Sequence, residues 1–338
     1  MKRKAEFDAI RIFAILMIVV YHFCHEAGLR ESIFYEYKNG GWGSVGTCIF
    51  FVISGFLIHM TSKNTDLKSY FKKRFFSIYP ALWISFVIAY IFLSIQKQGL
   101  LWGGNPVKLV LSVLGLDTYV SLYGVLTYAC VGEWFTGMIL ALYLLYPIFR
   151  QAMARYSVVT TVIIAILYFV ECFIGIQPVV PPDSSIFTAI FLFWIGMLFS
   201  QHDNWLKPGF VKISAAIVFC FLVIFVKLPS YGNVLPWKNL LGLSMFYLLI
   251  NIFALIPYTD KIADVLKYFS GISFCIYLIH HFVIFRVIEL MPNGGLVMWA
   301  LVMLTITILL AMLINSLSQI IKLGGSNKNG TCTNGRQN

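Results

Sequence analysis

Long apolar segments alternate with short polar loops along almost the whole chain. Most of them approach the length of about 20 residues that a helix needs to cross a bilayer. The predicted spans are Ala9–Phe23, Trp42–Met60, Phe76–Ile95, Trp134–Phe149, Val158–Ile176, Ser185–Ser200, Val211–Val226, Leu240–Ile256, Ile272–Leu290 and Leu296–Ile320. A further apolar stretch, Leu109–Cys130, is broken by glycine and aspartate and is interpreted as one span, a re-entrant pair or an interfacial helix. The pattern predicts an all-α, polytopic transmembrane helix bundle of about ten spans.

The distribution of positive charge predicts the orientation, because lysine and arginine accumulate in cytoplasmic loops. With the amino terminus inside, the cytoplasmic segments hold Lys2, Arg3, Lys4, Lys63, Lys68, Lys72, Lys73, Arg74, Arg150, Arg155, Lys207, Lys212, Lys261, Lys267, Lys322, Lys328 and Arg336. The opposite loops hold only Arg30, Lys38, Lys97, Lys108, Lys227 and Lys238. This asymmetry requires that Leu109–Cys130 makes no net crossing. Both termini are therefore predicted to be cytoplasmic.

The composition agrees with a membrane protein. Of 338 residues, 59% are hydrophobic and only 12% are charged, whereas a soluble domain carries about 25% charged residues. Basic residues that line an anionic leaflet account for the net charge of +11, so no nucleic-acid partner is expected. The seven cysteines are scattered singly and predict no metal site. Residues 1–322 are predicted to form one membrane domain, and residues 323–338 a polar, disordered cytoplasmic tail.

Two ionisable side chains occur within the first apolar segment, where they are functional candidates by default. Arg11 lies near its start and His22 near its end. Eleven residues bring the two back to one helix face, about 16 Å apart along the axis. Simpler interpretations stay open. Arg11 can pair with Asp8 three residues earlier, and His22 can hydrogen-bond Glu26 one turn later.

Five motifs occur in order along the apolar segments. They are Asp8–Arg11 with Tyr21–Phe23, Phe50–Ile58, Lys72–Pro80, Trp134–Phe135 with Tyr143–Pro147, and Ser273–His280. Together they resemble the acyltransferase 3 family of integral membrane acyltransferases, which modify bacterial polysaccharides and related extracytoplasmic glycans. The resemblance covers roughly residues 5–320. It implies a multi-pass protein of the bacterial cytoplasmic (inner) membrane with about ten spans.

The resemblance implies a role for several positions. The arginine and histidine of the first-helix motif fall on Arg11 and His22, and His22 is the implied catalytic residue, as general base or as acyl-accepting nucleophile. A basic RxxR motif of the third helix, associated with the acyl donor, falls on Arg74. Its second position is Ser77 in this chain, which is a departure from the family pattern. His280 matches a histidine near the end of the family pattern and is a supporting candidate.

The remaining candidates have both functional and structural interpretations. Lys72 and Lys73 compensate in charge for the missing arginine or serve only as a positive-inside anchor. Ser54 is followed by Gly55, which suits a substrate contact or a close helix crossing. Trp134 is a stacking surface for a sugar ring or an aromatic-belt residue. The acidic or amide pair common in this helix of the family is absent, and Glu133 is the nearest acidic residue.

The predicted function is transfer of an acyl group, most simply acetyl, from cytoplasmic acyl-CoA to a hydroxyl of a surface polysaccharide or lipid-linked saccharide. Acyl-CoA is then a substrate, and no permanently bound cofactor is implied. One alternative is a secondary transporter or glycan exporter, since ten spans with buried charges also suit that class. Another is a non-catalytic membrane partner of a polysaccharide synthesis complex. The sequence leaves the oligomeric state undetermined.

Overall fold

The computed structural model describes residues 5–132, 134–176, 179–229 and 234–327. Helices account for 79% of it, with almost no strand, which confirms the predicted all-α class. The helices are α1 (Ala5–Glu26), α2 (Trp42–Ser62), α3 (Leu67–Gln96), α4 (Leu109–Leu114), α5 (Asp117–Ser121), α6 (Trp134–Phe173), α7 (Ile186–Gln201), α8 (Phe210–Phe225), α9 (Leu235–Ala254), α10 (Asp260–Leu290) and α11 (Gly295–Asn327). A small antiparallel hairpin, β1 (Glu36–Tyr37) and β2 (Gly40–Gly41), joins α1 to α2.

Helices α1 and α2 occupy the centre of the bundle. α1 packs against α2, α9 and α10, and α2 also packs against α7 and α9. Glu6 and Asp8 occupy the first turn of α1, where carboxylates suit the positive end of the helix dipole. Arg11 and His22 are partly buried on α1 and have neighbours on α10, which are described below.

The crossing of α2 and α7 depends on two glycines. A methyl group at Gly55 would overlap the carbonyl of Phe193, and one at Gly196 would overlap the carbonyl of Val52. The absence of side chains therefore lets the two backbones touch. The sequence suggested a close helix crossing at the Ser54-Gly55 pair, and Gly55 lies at such a crossing. Ser54 lines a cavity instead.

The polar ends of the long helices extend beyond the predicted spans. α3 begins at Leu67, well before the predicted start at Phe76. Asp66 caps this helix, because its carboxylate accepts a hydrogen bond of 2.9 Å from the backbone N–H of Ser69, and that bond lowers the pKa of Asp66. Thr259 caps α10 in the same way, ahead of its predicted span. Hydropathy marks the apolar part of a helix, whereas the capping residue decides where the helix begins.

The element α6 consists of two helices that follow one another, and they correspond in position to the two predicted spans Trp134–Phe149 and Val158–Ile176. Tyr156 interrupts it with φ −137° and ψ 36°. This kink lies between the two predicted spans, so the 40 residues of α6 do not form one straight helix. Within Leu109–Cys130, α4 and α5 have six and five residues and are too short to cross.

Seven helices are long and apolar enough to span a membrane, namely α1, α2, α3, α6, α9, α10 and α11, counted over the described residues. α7 and α8 are apolar but have only 16 residues each. Ten spans follow if α6 crosses twice and α7 and α8 once each; this number and the cytoplasmic termini stay predictions. α11 continues to Asn327, beyond the predicted domain end at residue 322. Residues 328–338 of the predicted tail lie outside the described residues.

Candidate active site

Three histidines, the histidine cluster, meet where α1 packs against α10. The ring of His22 lies 5.3 Å from that of His280 and 4.7 Å from that of His281, measured between centroids. The rings of His280 and His281 are 6.2 Å apart. Imidazoles at such positions are suited to proton transfer or to nucleophilic attack.

Neighbouring groups orient two of these rings. The Nδ1 atom of His280 lies 2.7 Å from the backbone carbonyl oxygen of Tyr277. Because a carbonyl only accepts, Nδ1 carries the proton, and the lone pair of the neutral ring is on Nε2. His280 is fully buried. The Nε2 atom of His281 lies 3.3 Å from Oε1 of Glu26, so the carboxylate considered above as a partner for His22 contacts His281.

A cavity of about 280 Å³, the arginine cavity, is lined by Arg11, Arg74 and Lys322. Among the described residues that line it there is no carboxylate. Its walls also carry short hydroxyl and amide side chains, which are Ser54, Ser77, Ser270, Ser273, Asn315, Ser318 and Gln319. A cavity with three cations, small polar groups and no acid is suited to a polyanionic ligand such as a phosphate ester.

The two arginines of this cavity are held in different ways. Nη1 of Arg11 donates a hydrogen bond of 3.2 Å to the hydroxyl of Ser270 on α10. The guanidinium of Arg74 lies 5.8 Å from the ring centroid of Tyr70 and 5.5 Å from that of Tyr143. Its Nε is buried and makes no hydrogen bond within the part of the chain that the structure describes. Stacking thus orients Arg74 while leaving it donor capacity for a ligand.

A second cavity, the tryptophan cavity, has a volume of about 420 Å³ and is lined by Trp102, Trp134 and His281. Lys97 and Arg286 are also on its wall. The ammonium of Lys97 lies 4.6 Å from the Trp102 ring centroid. Arg286 forms an ion pair with a glutamate one turn later in α10. Aromatic walls with a few polar groups are typical of small-ligand sites.

A row of rings, the ring chain, connects the two cavities. Tyr277 lines the arginine cavity, and its ring lies 5.9 Å from that of His280. From His280 the row continues through His22 to His281, which lines the tryptophan cavity. The histidine cluster is therefore linked through Tyr277 to the cationic cavity and through His281 to the aromatic one.

Most residues singled out from the sequence are in these three places. Arg11, Ser54 and Arg74 line the arginine cavity, Trp134 lines the tryptophan cavity, and His22 and His280 belong to the histidine cluster. Asp8 is buried near the start of α1. Lys72 and Lys73 are exposed on α3 and are not among the described residues that line the arginine cavity. Glu133 lies outside the described residues.

Two residues of the candidate site were not predicted from the sequence. His281 directly follows His280, but only the latter belongs to a motif, and their adjacency was the sole indication. Lys322 was counted only as a cytoplasmic charge. Its spacing from Asn315 and Ser318 places all three on one helix face, which was a usable signal. In the described part of the chain, no group of three or more His, Cys, Asp or Glu side chains is placed to hold a metal ion.

Comparison with known proteins identifies the family. A family model of the acyltransferase 3 type, described as an acyltransferase domain, matches residues 4–316. The match includes α1 with His22 and α10 with His280. No match is found to a curated protein or to a solved structure. Because the family model covers far more than half of the chain, this multi-pass helical protein belongs to the acyltransferase 3 family.

Proposed function

We propose that the protein is a membrane O-acyltransferase that moves an acyl group, most simply acetyl, from cytoplasmic acyl-CoA to a hydroxyl of a surface polysaccharide or lipid-linked saccharide. We place it in the bacterial inner membrane with both termini in the cytoplasm. The observation that carries the proposal is the ring chain, which links the histidine cluster to the arginine cavity and to the tryptophan cavity. Family membership supports an acyltransferase, and the geometry supports separate places for donor and acceptor.

The arginine cavity is the proposed donor site. Coenzyme A carries phosphates at its nucleotide end, and charge-assisted hydrogen bonds from Arg74 and Arg11 suit such a group. The cavity lies near the amino-terminal part of α1, the end that positive charges predict to be cytoplasmic. Its volume of about 280 Å³ is smaller than a whole coenzyme A. We therefore place the phosphates and the pantetheine arm in the cavity, and the adenine outside it.

The tryptophan cavity is the proposed acceptor site. Trp102 and Trp134 give it flat apolar surfaces against which a sugar ring can stack, and Lys97 and Arg286 provide donors for its hydroxyl groups. His281 is on the wall of this cavity and contacts His22. An acceptor hydroxyl bound here lies near the imidazole that is to deprotonate it.

His22 is the proposed general base. It takes the proton of the acceptor hydroxyl while the hydroxyl oxygen attacks the thioester carbonyl carbon. A new C–O bond forms, the C–S bond breaks, and the thiolate of coenzyme A leaves and takes up the proton from the imidazole. In the covalent variant, the imidazole of His22 attacks first, and the acceptor then displaces it from the acylimidazole. Both routes give coenzyme A and an ester.

Release of free coenzyme A thiol by the purified protein tests the proposal. Wild-type protein in nanodiscs should consume acetyl-CoA when given a saccharide acceptor, and His22→Ala should lower the rate by about 10²–10⁴, the usual contribution of a general base. His25→Ala is the matched control, because His25 is one turn further along α1 and contacts Tyr35 instead of the cluster.

Analysis of the cell-surface glycan by NMR completes the test. Glycan from cells with wild-type protein should carry the acyl ester, and glycan from cells with His22→Ala at equal protein level should lack it. Normal acylation by the variant would overturn the mechanism. Uptake of labelled saccharide into proteoliposomes without any thioester consumption would instead favour a transporter. Trapping of an acylated protein after acid quenching would select the covalent variant.

A further inference from the structure

The last turns of α11 form one wall of the arginine cavity. Asn315, Ser318, Gln319 and Lys322 all line it, and their spacing of three, four and seven residues places them on one helix face. The family model ends at residue 316, so most of this wall lies beyond the family match. Nothing in the shared motifs assigns it a role.

The side chains at this end of α11 differ in exposure. Ser318 is 2% exposed, while the neighbouring apolar residues Ile320 and Leu323 are 65% and 68% exposed. Ser318 is therefore turned toward the cavity, Asn315 and Lys322 are partly buried and Gln319 is exposed, while Ile320 and Leu323 face outward, as toward lipid. An ionisable side chain on the protein-facing side of a membrane helix is a functional candidate by default.

Lys322 is the charged residue of this wall. It is half-buried, and it makes no hydrogen bond or ion pair with any residue that the structure describes. Its companions in the cavity, Arg11 and Arg74, are cations, so no protein carboxylate among the described lining residues balances its charge. An unbalanced ammonium inside a protein is unfavourable unless an anion joins it, which points to an anionic ligand.

We propose that this face of α11 is a phosphate-binding wall, and that Lys322 contacts a phosphate of the nucleotide end of the acyl donor. The inference rests on the proposed function, because it places acyl-CoA in the arginine cavity. Ser77 lines the same cavity, at the position where the third-helix motif leaves a cation missing. Lys322 supplies a positive charge to that cavity from another helix, as a point charge that needs no bidentate geometry.

Calorimetric titration of coenzyme A into the purified full-length protein in nanodiscs tests the wall. Lys322→Gln should bind coenzyme A at least tenfold more weakly than wild type, whereas Lys322→Arg should stay within about threefold. Lys68→Gln is the matched control, because Lys68 is an exposed lysine of α3 that does not line the cavity. Pantetheine, which has no phosphate, should bind wild type and Lys322→Gln alike. Equal coenzyme A affinity for the Lys322→Gln and Lys68→Gln variants would overturn the inference.

A second variant tests whether Lys322 takes the place of the cation missing at Ser77. Ser77→Arg in the Lys322→Gln background should restore coenzyme A affinity to within about threefold of wild type, because the new guanidinium enters the same cavity. If the double variant folds but binds coenzyme A as weakly as Lys322→Gln does, Lys322 does not take the place of the missing cation.

Inorganic pyrophosphate separates this inference from the proposed function. If wild type neither binds coenzyme A nor consumes acetyl-CoA, the proposed function fails. Weaker binding of pyrophosphate by Lys322→Gln than by wild type would then still support the phosphate-binding wall. Loss of coenzyme A binding in Lys322→Gln alone, with pantetheine binding intact and unchanged thermal unfolding, is the result expected here.

Discussion

At the residue scale, the site depends on which atoms of the imidazoles carry protons. The Tyr277 carbonyl fixes the proton of His280 on Nδ1, and Glu26 contacts His281. Each of these contacts therefore restricts the orientation of an imidazole ring that lies next to His22. A general base works only when its lone pair is aimed at the acceptor, so these contacts position the cluster as well as stabilise it.

Loss of the Glu26–His281 contact should slow transfer without affecting the donor. His281→Asn and Glu26→Gln are each expected to lower the transfer rate roughly tenfold to hundredfold, because small misplacements near the reacting atoms have effects of this size. Coenzyme A affinity should stay unchanged, since neither residue lines the arginine cavity. Rates of the two single variants and the double variant are to be compared. Fully additive effects of the two substitutions would contradict a shared positioning role.

Arg74→Ala should weaken coenzyme A binding roughly tenfold to hundredfold, because losing a hydrogen bond to a charged group typically costs about 1.5–3 kcal/mol. Arg30→Ala is the comparison, since Arg30 is exposed and contacts His25 at 3.1 Å, away from the cavity. Titration calorimetry on both purified variants gives the two affinities. Small and equal losses would mean that Arg74 serves only as a topology anchor.

At the element scale, the contact between α2 and α7 is set by backbone approach. Gly55→Ala and Gly196→Ala each push a methyl group into a carbonyl of the other helix and should destabilise the protein by about 1–3 kcal/mol, the usual cost of overpacking. Gly271→Ala in α10 is the matched control, because a methyl group there meets nothing within 4 Å. Thermal unfolding of the detergent-solubilised variants measures the difference. If Gly55→Ala and Gly271→Ala unfold at the same temperature, the crossing is looser than described.

Helix existence could be predicted from the sequence more readily than helix ends. Runs of apolar residues located all the long helices, because burial in lipid dominates their free energy. They did not reveal that α3 begins at Leu67, since a cap by Asp66 is a local hydrogen bond among polar residues. They also placed the end of the last span at Ile320 and so concealed the polar face that continues to Lys322.

At the scale of the whole molecule, the predicted topology determines which loops are accessible from outside the cell. Cysteines introduced at Leu100 and Leu126, both exposed, should react with a membrane-impermeant maleimide from the same side in intact cells, because α4 and α5 are too short to cross. A cysteine at Arg155 should react only after permeabilisation. If positions 100 and 126 were labelled from opposite sides of the membrane, the segment between them would cross it. The two termini would then lie on opposite sides.

The site illustrates what a sequence can and cannot show about assembly in space. Arg11 and His22 were found because their helical spacing and the surrounding motif are local in the chain. Their partners Ser270 and His281 are more than 250 residues away along the chain, and only the packing of α1 against α10 brings them close. No periodicity in one sequence contains that contact.

The ring chain predicts how the rate of acyl transfer depends on the membrane voltage. Tyr277 and the three histidines form a continuous series of neighbouring rings from one cavity to the other. With the donor and acceptor placed as proposed, the phosphates stay on one side of these rings, and the acyl group passes to the acceptor in exchange for the hydroxyl proton, which ends on the thiol of coenzyme A. Transfer is then electroneutral, and its rate in sealed vesicles should be the same with an imposed membrane voltage as without one.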